Sequence, residues 1–101
     1  MSDSLLSIAS DGVKGKIEIS TQPGGSISTH SSKIYMKNVD QESLGGEIAH
    51  NAADLTQVGG SQNANSGGKI INRADGGTLH QENLTQSAND KGEIVNEVKK
   101  N

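Results

Sequence analysis

Apolar residues in this chain fall in short alternations. Lys16-Ile17-Glu18-Ile19-Ser20 and Asp54-Leu55-Thr56-Gln57-Val58 alternate polar and apolar side chains, the period of a strand with one face buried. The predicted strands are about five residues long, and paired glycines such as Gly59-Gly60 and Gly67-Gly68 separate them. Glycine reaches the positive φ that sharp turns require. Helical spacing is confined to Ser4–Ala9, where Leu5, Leu6, Ile8 and Ala9 fit a helical turn or a cap.

The alternations recur. Gly-x-Ile opens four segments, at Gly25, Gly46, Gly68 and Gly92, spaced by about 21, 22 and 24 residues, with a shorter echo at Gly15-Lys16-Ile17, and the spacing is within the range of solenoid repeats. Aligned on these glycines, Ile27, Ile48, Ile70 and Ile94 form one apolar column. Ile34, Leu55 and Leu79 form a second if the third repeat carries a two-residue insertion at Asp75-Gly76-Gly77, a turn-forming stretch that tolerates one. Gln62-Asn63-Ala64-Asn65 parallels Gln86-Ser87-Ala88-Asn89 at the same distance from the next repeat glycine, and Leu55-Thr56-Gln57 is echoed by Leu84-Thr85-Gln86. Asp40–Leu44 fits the closing half of the repeat poorly.

This pattern predicts an all-β, parallel β-solenoid with β-arch rungs of about 21–24 residues over 15–101, starting near 25, 46, 68 and 92. Residues 1–14 form an N-terminal cap or flexible segment. In such a fold equivalent side chains stack about 4.8 Å apart, so Ile70 faces inward and Lys69 outward. Stacked amides donate to the rung on one side and accept from the other. Gln57, Gln62, Asn63, Asn65, Gln86 and Asn89 are the expected ladder positions, with Gln62 over Gln86 and Asn65 over Asn89 as the leading pairs. Gly25, Gly46, Gly59, Gly60, Gly68 and Gly92 are the expected arc glycines, with positive φ at Gly68.

Composition sharpens this picture. Only 30% of the 101 residues are apolar and Tyr35 is the sole aromatic, which argues against a conventional core and suits a narrow interior of Ile, Leu, Val and Ala. Mean hydropathy is −0.60 but net charge is only −3, without the repulsion that usually accompanies disorder. There is no cysteine, Arg73 is the only arginine, and no basic stripe with interleaved aromatics exists, so nucleic acid is not an expected partner. The interrupted N-terminus does not read as an intact secretory signal, and no run approaches the roughly 18 apolar residues of a span, so membrane insertion is not expected.

Asp54-Leu55-Thr56-Gln57-Val58-Gly59-Gly60, followed by Gln62-Asn63-Ala64, resembles the repeat of curli-type major subunits, over roughly the second half of the chain. That resemblance implies an extracellular β-solenoid amyloid, with Gln57, Gln62, Asn63 and Gln86 as ladder residues and Gly59 and Gly60 as the arc. The arc here carries a glutamine where the family places asparagine. The Gln-Val-Gly core is also similar to motifs of signalling amyloids, which implies assembly inside cells.

Candidate chemistry is sparse. His30, His50 and His80 occupy different offsets from their repeat glycines, so they do not form one metal-binding row, and they are expected to face solvent or sit in arcs. The Gly-Gly pairs lack the aspartates of calcium-binding nonapeptide repeats. Gly67-Gly68-Lys69-Ile70 leads into a predicted strand and not into the helix of a phosphate loop, and no nucleophile has a placed base. No catalytic, cofactor or metal site and no enzymatic activity are expected. Glu93, Glu97, Lys99 and Lys100 read as charges protecting the last strand. The expected function is a self-assembling structural filament whose partner is itself. The alternatives are a soluble β-helical adhesin or spike-type module and a disordered interaction segment.

Overall fold

The structure is a computed structural model, and it describes residues 5–9 and 17–99. Of the segment 1–14 read as a cap, residues 1–4 and 10–14 lie outside the described residues, as does Lys100. Among the described residues ten strands follow in order: β1 (Leu5–Ala9), β2 (Ile17–Thr21), β3 (Ser26–Lys37), β4 (Val39–Leu44), β5 (Glu47–Val58), β6 (Ser61–Asn65), β7 (Lys69–Asp75), β8 (Leu79–Glu82), β9 (Thr85–Ala88) and β10 (Glu93–Lys99). All pairings are parallel. One sheet runs β1-β3-β5-β7-β10, with β8 also on β5, and the other runs β2-β4-β6-β9. The chain is a β-solenoid of about 4 turns. Each turn takes a short strand of the second sheet, a corner, then a long strand of the first sheet.

The register follows the repeat. Ile27, Ile48, Ile70 and Ile94 are successive partners, and so are Ile34, Leu55 and Leu79. Ala52 pairs with Ala74 but Leu55 pairs with Leu79. The two extra residues therefore fall between Ala74 and Leu79, where Gly76-Gly77 splits the long strand into β7 and β8. Asp54 bridges this break, its carboxylate accepting from the backbone N–H and hydroxyl of Thr78. The closing half of the first repeat, Asp40–Leu44, fits poorly because its corner is one residue shorter. Leu44 leads straight into Gly45-Gly46, whereas Asn65 is followed by Ser66 before Gly67-Gly68.

Two expectations are corrected. Leu5–Ala9 is a strand pairing with Lys33–Lys37 and not a helical turn, because an open backbone edge on β3 satisfies its N–H and C=O groups along the whole segment. Gly68 does not have positive φ; the residue before it, Gly67, does, with φ near 80°. Gly68 is instead required by close approach, since a Cβ there would lie 2.1 Å from the Ser43 carbonyl oxygen.

The interior has two apolar clusters. Ile34, Met36, Val39, Ala52 and Leu55 form one, joined by Leu6, Ile19 and Leu79, and Ile48, Ala64 and Ile70 form the other, joined by Ile19, Ile27 and Ile94. Burying each Ile or Leu stabilises by about 1.5–3 kcal/mol. The end members Ile27, Leu79 and Ile94 are only half-buried, because a solenoid covers a side chain fully only when a rung lies on both sides.

Candidate functional site: the buried amide stack and the open rungs

Between the two apolar clusters runs a polar column built from three strand positions per turn. Two residues beyond the isoleucine column, β3, β5, β7 and β10 place Thr29, His50, Asn72 and Asn96. Two beyond the second apolar column, β3, β5 and β8 place Met36, Gln57 and Gln81. The second sheet contributes Ile19, Gln41, Gln62 and Gln86. These sets meet in layers. Met36, Gln41 and His50 make one, Gln57, Gln62 and Asn72 the next, and Gln81, Gln86 and Asn96 the last.

In the middle layer Asn72 is completely buried. Its Oδ1 accepts from Nε2 of Gln57 and of Gln62, each at 2.9 Å, and its Nδ2 donates to Gln62 Oε1 at 2.8 Å and to Asn96 Oδ1 at 2.9 Å. Ladders then join this layer to the last, with Gln81 donating to Gln57 and Gln86 donating to Gln62, both at 2.8 Å. Among the described residues no buried side-chain nitrogen or oxygen lacks a partner. A buried polar network so completed rigidifies a core, whereas a half-completed one is costly.

His50 corrects the expectation of solvent-facing histidines, being fully buried, while His30 and His80 are exposed. Gln41 Nε2 points at Met36 Sδ (3.8 Å), which leaves Gln41 Oε1 facing His50 Nε2 at 2.5 Å. An amide oxygen only accepts, so Nε2 carries the hydrogen and Nδ1 accepts from the Thr29 hydroxyl at 2.6 Å. Burial lowers the His50 pKa from 6.5 to about 4, because the charged form loses its hydration. Among the described residues no three His, Asp or Glu side chains converge to hold a metal ion.

The expected ladder divides by face. Gln57, Gln62 and Gln86 belong to the interior network. Asn63, Asn65 and Asn89 do not, because strand alternation turns them outward: Asn65 Nδ2 donates to Asn63 Oδ1 within one strand, and Asn89 Nδ2 donates to Ser87 Oγ. Asn65 over Asn89 is thus not a bonded pair. Leu84-Thr85-Gln86 is out of phase with Leu55-Thr56-Gln57, whose partners are Leu79-His80-Gln81. Of the arc glycines, Gly59 and Gly60 have positive φ, whereas Gly25, Gly46, Gly68 and Gly92 follow residues that do.

Thr29, Gln41, His50, Asn72, Gln81 and Asn96 were not anticipated. A legible signal existed. Thr29, His50, Asn72 and Asn96 each lie four residues after a repeat glycine, as in Gly46-Glu47-Ile48-Ala49-His50 and Gly68-Lys69-Ile70-Ile71-Asn72. Comparing each histidine with its own column, and not with the other histidines, finds it.

Both ends of this interior are open among the described residues. The last turn leaves the outer edges of β8, β9 and β10 unpaired, and Gln86, Asn96 and Val98 are exposed there. At the other end no described strand lies on the outer edge of β2 or of Ser26–His30 in β3, while β1 covers the second half of β3. No protein-family model, curated protein or solved structure matches the chain.

Proposed function

We propose that this chain is a self-assembling structural protein whose working form is a filament of stacked β-solenoids. It is akin to the functional amyloids that its Leu55–Ala64 motif resembles, and has no catalytic role. The observation that carries the reading is the last turn, where edges of three strands are open and the amides Gln86 and Asn96 are exposed in the arrangement that Gln62 and Asn72 take one turn earlier. An unpaired parallel edge is a template for another chain, and amide ladders extend by repetition. Sedimentation velocity across a concentration series tests it. Growth into large assemblies above a threshold concentration is expected, and a concentration-independent monomer overturns it.

A soluble β-helical module is the second reading, favoured by charge on β10. Glu93 pairs with Lys69 at 3.4 Å and Glu97 with Arg73 at 2.6 Å, and charges along an edge discourage addition. A small oligomer of fixed size in the same experiment is its signature.

A further inference from the structure

The two open ends are unequal, and their inequality is complementary. At the first end β1 stands alone as part of a rung: it covers the Lys33–Lys37 half of β3, while no described strand lies on the outer edge of Ser26–His30 or of β2. At the last end the missing part is the reverse. There β9 and β10 lie on β6 and β7, while nothing described covers β8. The column Leu6, Ile34, Leu55, Leu79 begins one rung earlier than the column Ile27, Ile48, Ile70, Ile94 and stops one rung sooner. One end is a step up and the other the matching step down.

Building on the filament reading, we propose that a second copy of this chain docks head to tail, setting its β1 on the open edge of β8. The β1 of one copy and the β9–β10 of the other then complete a single shared rung. Continuing the observed registers puts Leu6 over Leu79 and Ser7 over His80, Ile19 over Gln86, and Ile27 over Ile94. The half-buried Leu79, Ile94 and Ile27 thereby gain their missing neighbours. Polar groups match as well. Asn96 gives one amide hydrogen to Gln86 Oε1 and has a second to give, and the Thr29 oxygen, whose hydrogen goes to His50, lies next in its column to accept it. Glu97 comes beside His30. The contact is heterologous and repeats without closing, which makes an open filament of one polarity.

Cysteine pairs read this register directly, because the chain has none of its own. Ser7 and His80 occupy one column with Tyr35 and Thr56 between them. Within one copy they are therefore separated by three rung spacings, about 14 Å, beyond the roughly 4.4–6.8 Å Cα separation a disulfide allows. Across the proposed junction they are adjacent, one spacing of about 4.8 Å apart.

The Ser7→Cys/His80→Cys chain, assembled under reductant, pelleted and then oxidised, should give a ladder of covalent oligomers on a non-reducing denaturing gel. Ser7→Cys/Glu82→Cys, two residues out of register, should link at least about tenfold less, since its Cα separation exceeds the disulfide range. If the first pair does not pellet under reductant, Ser26→Cys/Glu93→Cys reads the β3–β10 half of the same junction by the same criterion. Pelleted filaments with no ladder from the in-register pair, or with equal linking from the shifted pair, overturn the junction while leaving the filament reading in place. An unmodified chain that never sediments as an assembly removes both.

Discussion

Asn72 is the residue whose replacement most sharply separates a working amide core from incidental polar burial. Asn72→Leu keeps the branched shape but removes an acceptor that serves Gln57 and Gln62 and a donor that serves Gln62 and Asn96. The consequences are unequal. Gln62 Oε1 still accepts from Gln86, and Asn96 Oδ1 still accepts from Gln81 and Gln86. The amide nitrogens of Gln57 and Gln62, both fully buried, lose the acceptor they share. Each orphaned buried group costs about 1–3 kcal/mol, so the loss should be about 2–6 kcal/mol against a total stability on the order of 5–15 kcal/mol. Urea unfolding of dilute, unassembled chain followed by far-ultraviolet circular dichroism reads it as a fall in midpoint with unchanged slope. The triple variant Gln57→Leu/Gln62→Leu/Asn72→Leu removes the orphans along with their partner and should recover much of the loss, since an apolar layer of similar shape is close to neutral. Asn72→Leu within about 0.5 kcal/mol of the parent, or a triple variant weaker than the single one, would refute the reasoning.

Other outcomes follow from the same interior. His50 has a lowered folded pKa of about 4 against 6.5, so below 6.5 the unfolded chain binds the extra proton. Stability present above pH 6.5 should therefore decline as pH falls toward 4, by up to about 3 kcal/mol, and His50→Asn, copying its column neighbour, should flatten that slope in unfolding midpoints measured between pH 4 and 7. Gly68→Ala should destabilise far more than Gly67→Ala in thermal melts. A Cβ at Gly68 would overlap the Ser43 carbonyl, while one at Gly67 meets nothing within 4 Å and bears only the strain of its φ near 80°, of order 1 kcal/mol. Ile70→Lys should abolish folding and pelleting alike by burying an unpaired charge. Lys69→Gln should leave both largely intact and lower the melting temperature only slightly, because Lys69 lies between Glu47 and Glu93 in its column; Glu47→Gln in that background should restore parental melting.

What could be read in advance was what the repeat states in residues of one kind. Four isoleucines after four glycines yield a column without knowledge of the corners, and the Asp75-Gly76-Gly77 insertion follows from aligning Leu55 with Leu79. The polar column was harder because its members differ in type: threonine, histidine and asparagine occupy one position, and isoleucine gives way to glutamine at another. What they share is an inward face, a property of parity along the strand and not of composition. The same parity sends Asn65 and Asn89 outward although they look equivalent to Gln62 and Gln86. The reversed roles at the corners have a similar cause. Gly67 and Gly68 are indistinguishable as letters, yet one is selected by φ and the other by the nearness of the Ser43 carbonyl. The lone strand β1 carries no Gly-x-Ile at all, and only the open edge of β3 makes it a strand.

X-ray fibre diffraction from aligned assemblies tests the stacked solenoid most directly. Rungs running perpendicular to the filament place a strong meridional reflection near 4.8 Å. A shared rung at every junction makes each copy advance the filament by four rung spacings, which adds a weak meridional order near 19 Å. Finding the 4.8 Å spacing on the equator, with strands along the filament, or obtaining no fibre at any concentration, would contradict the account.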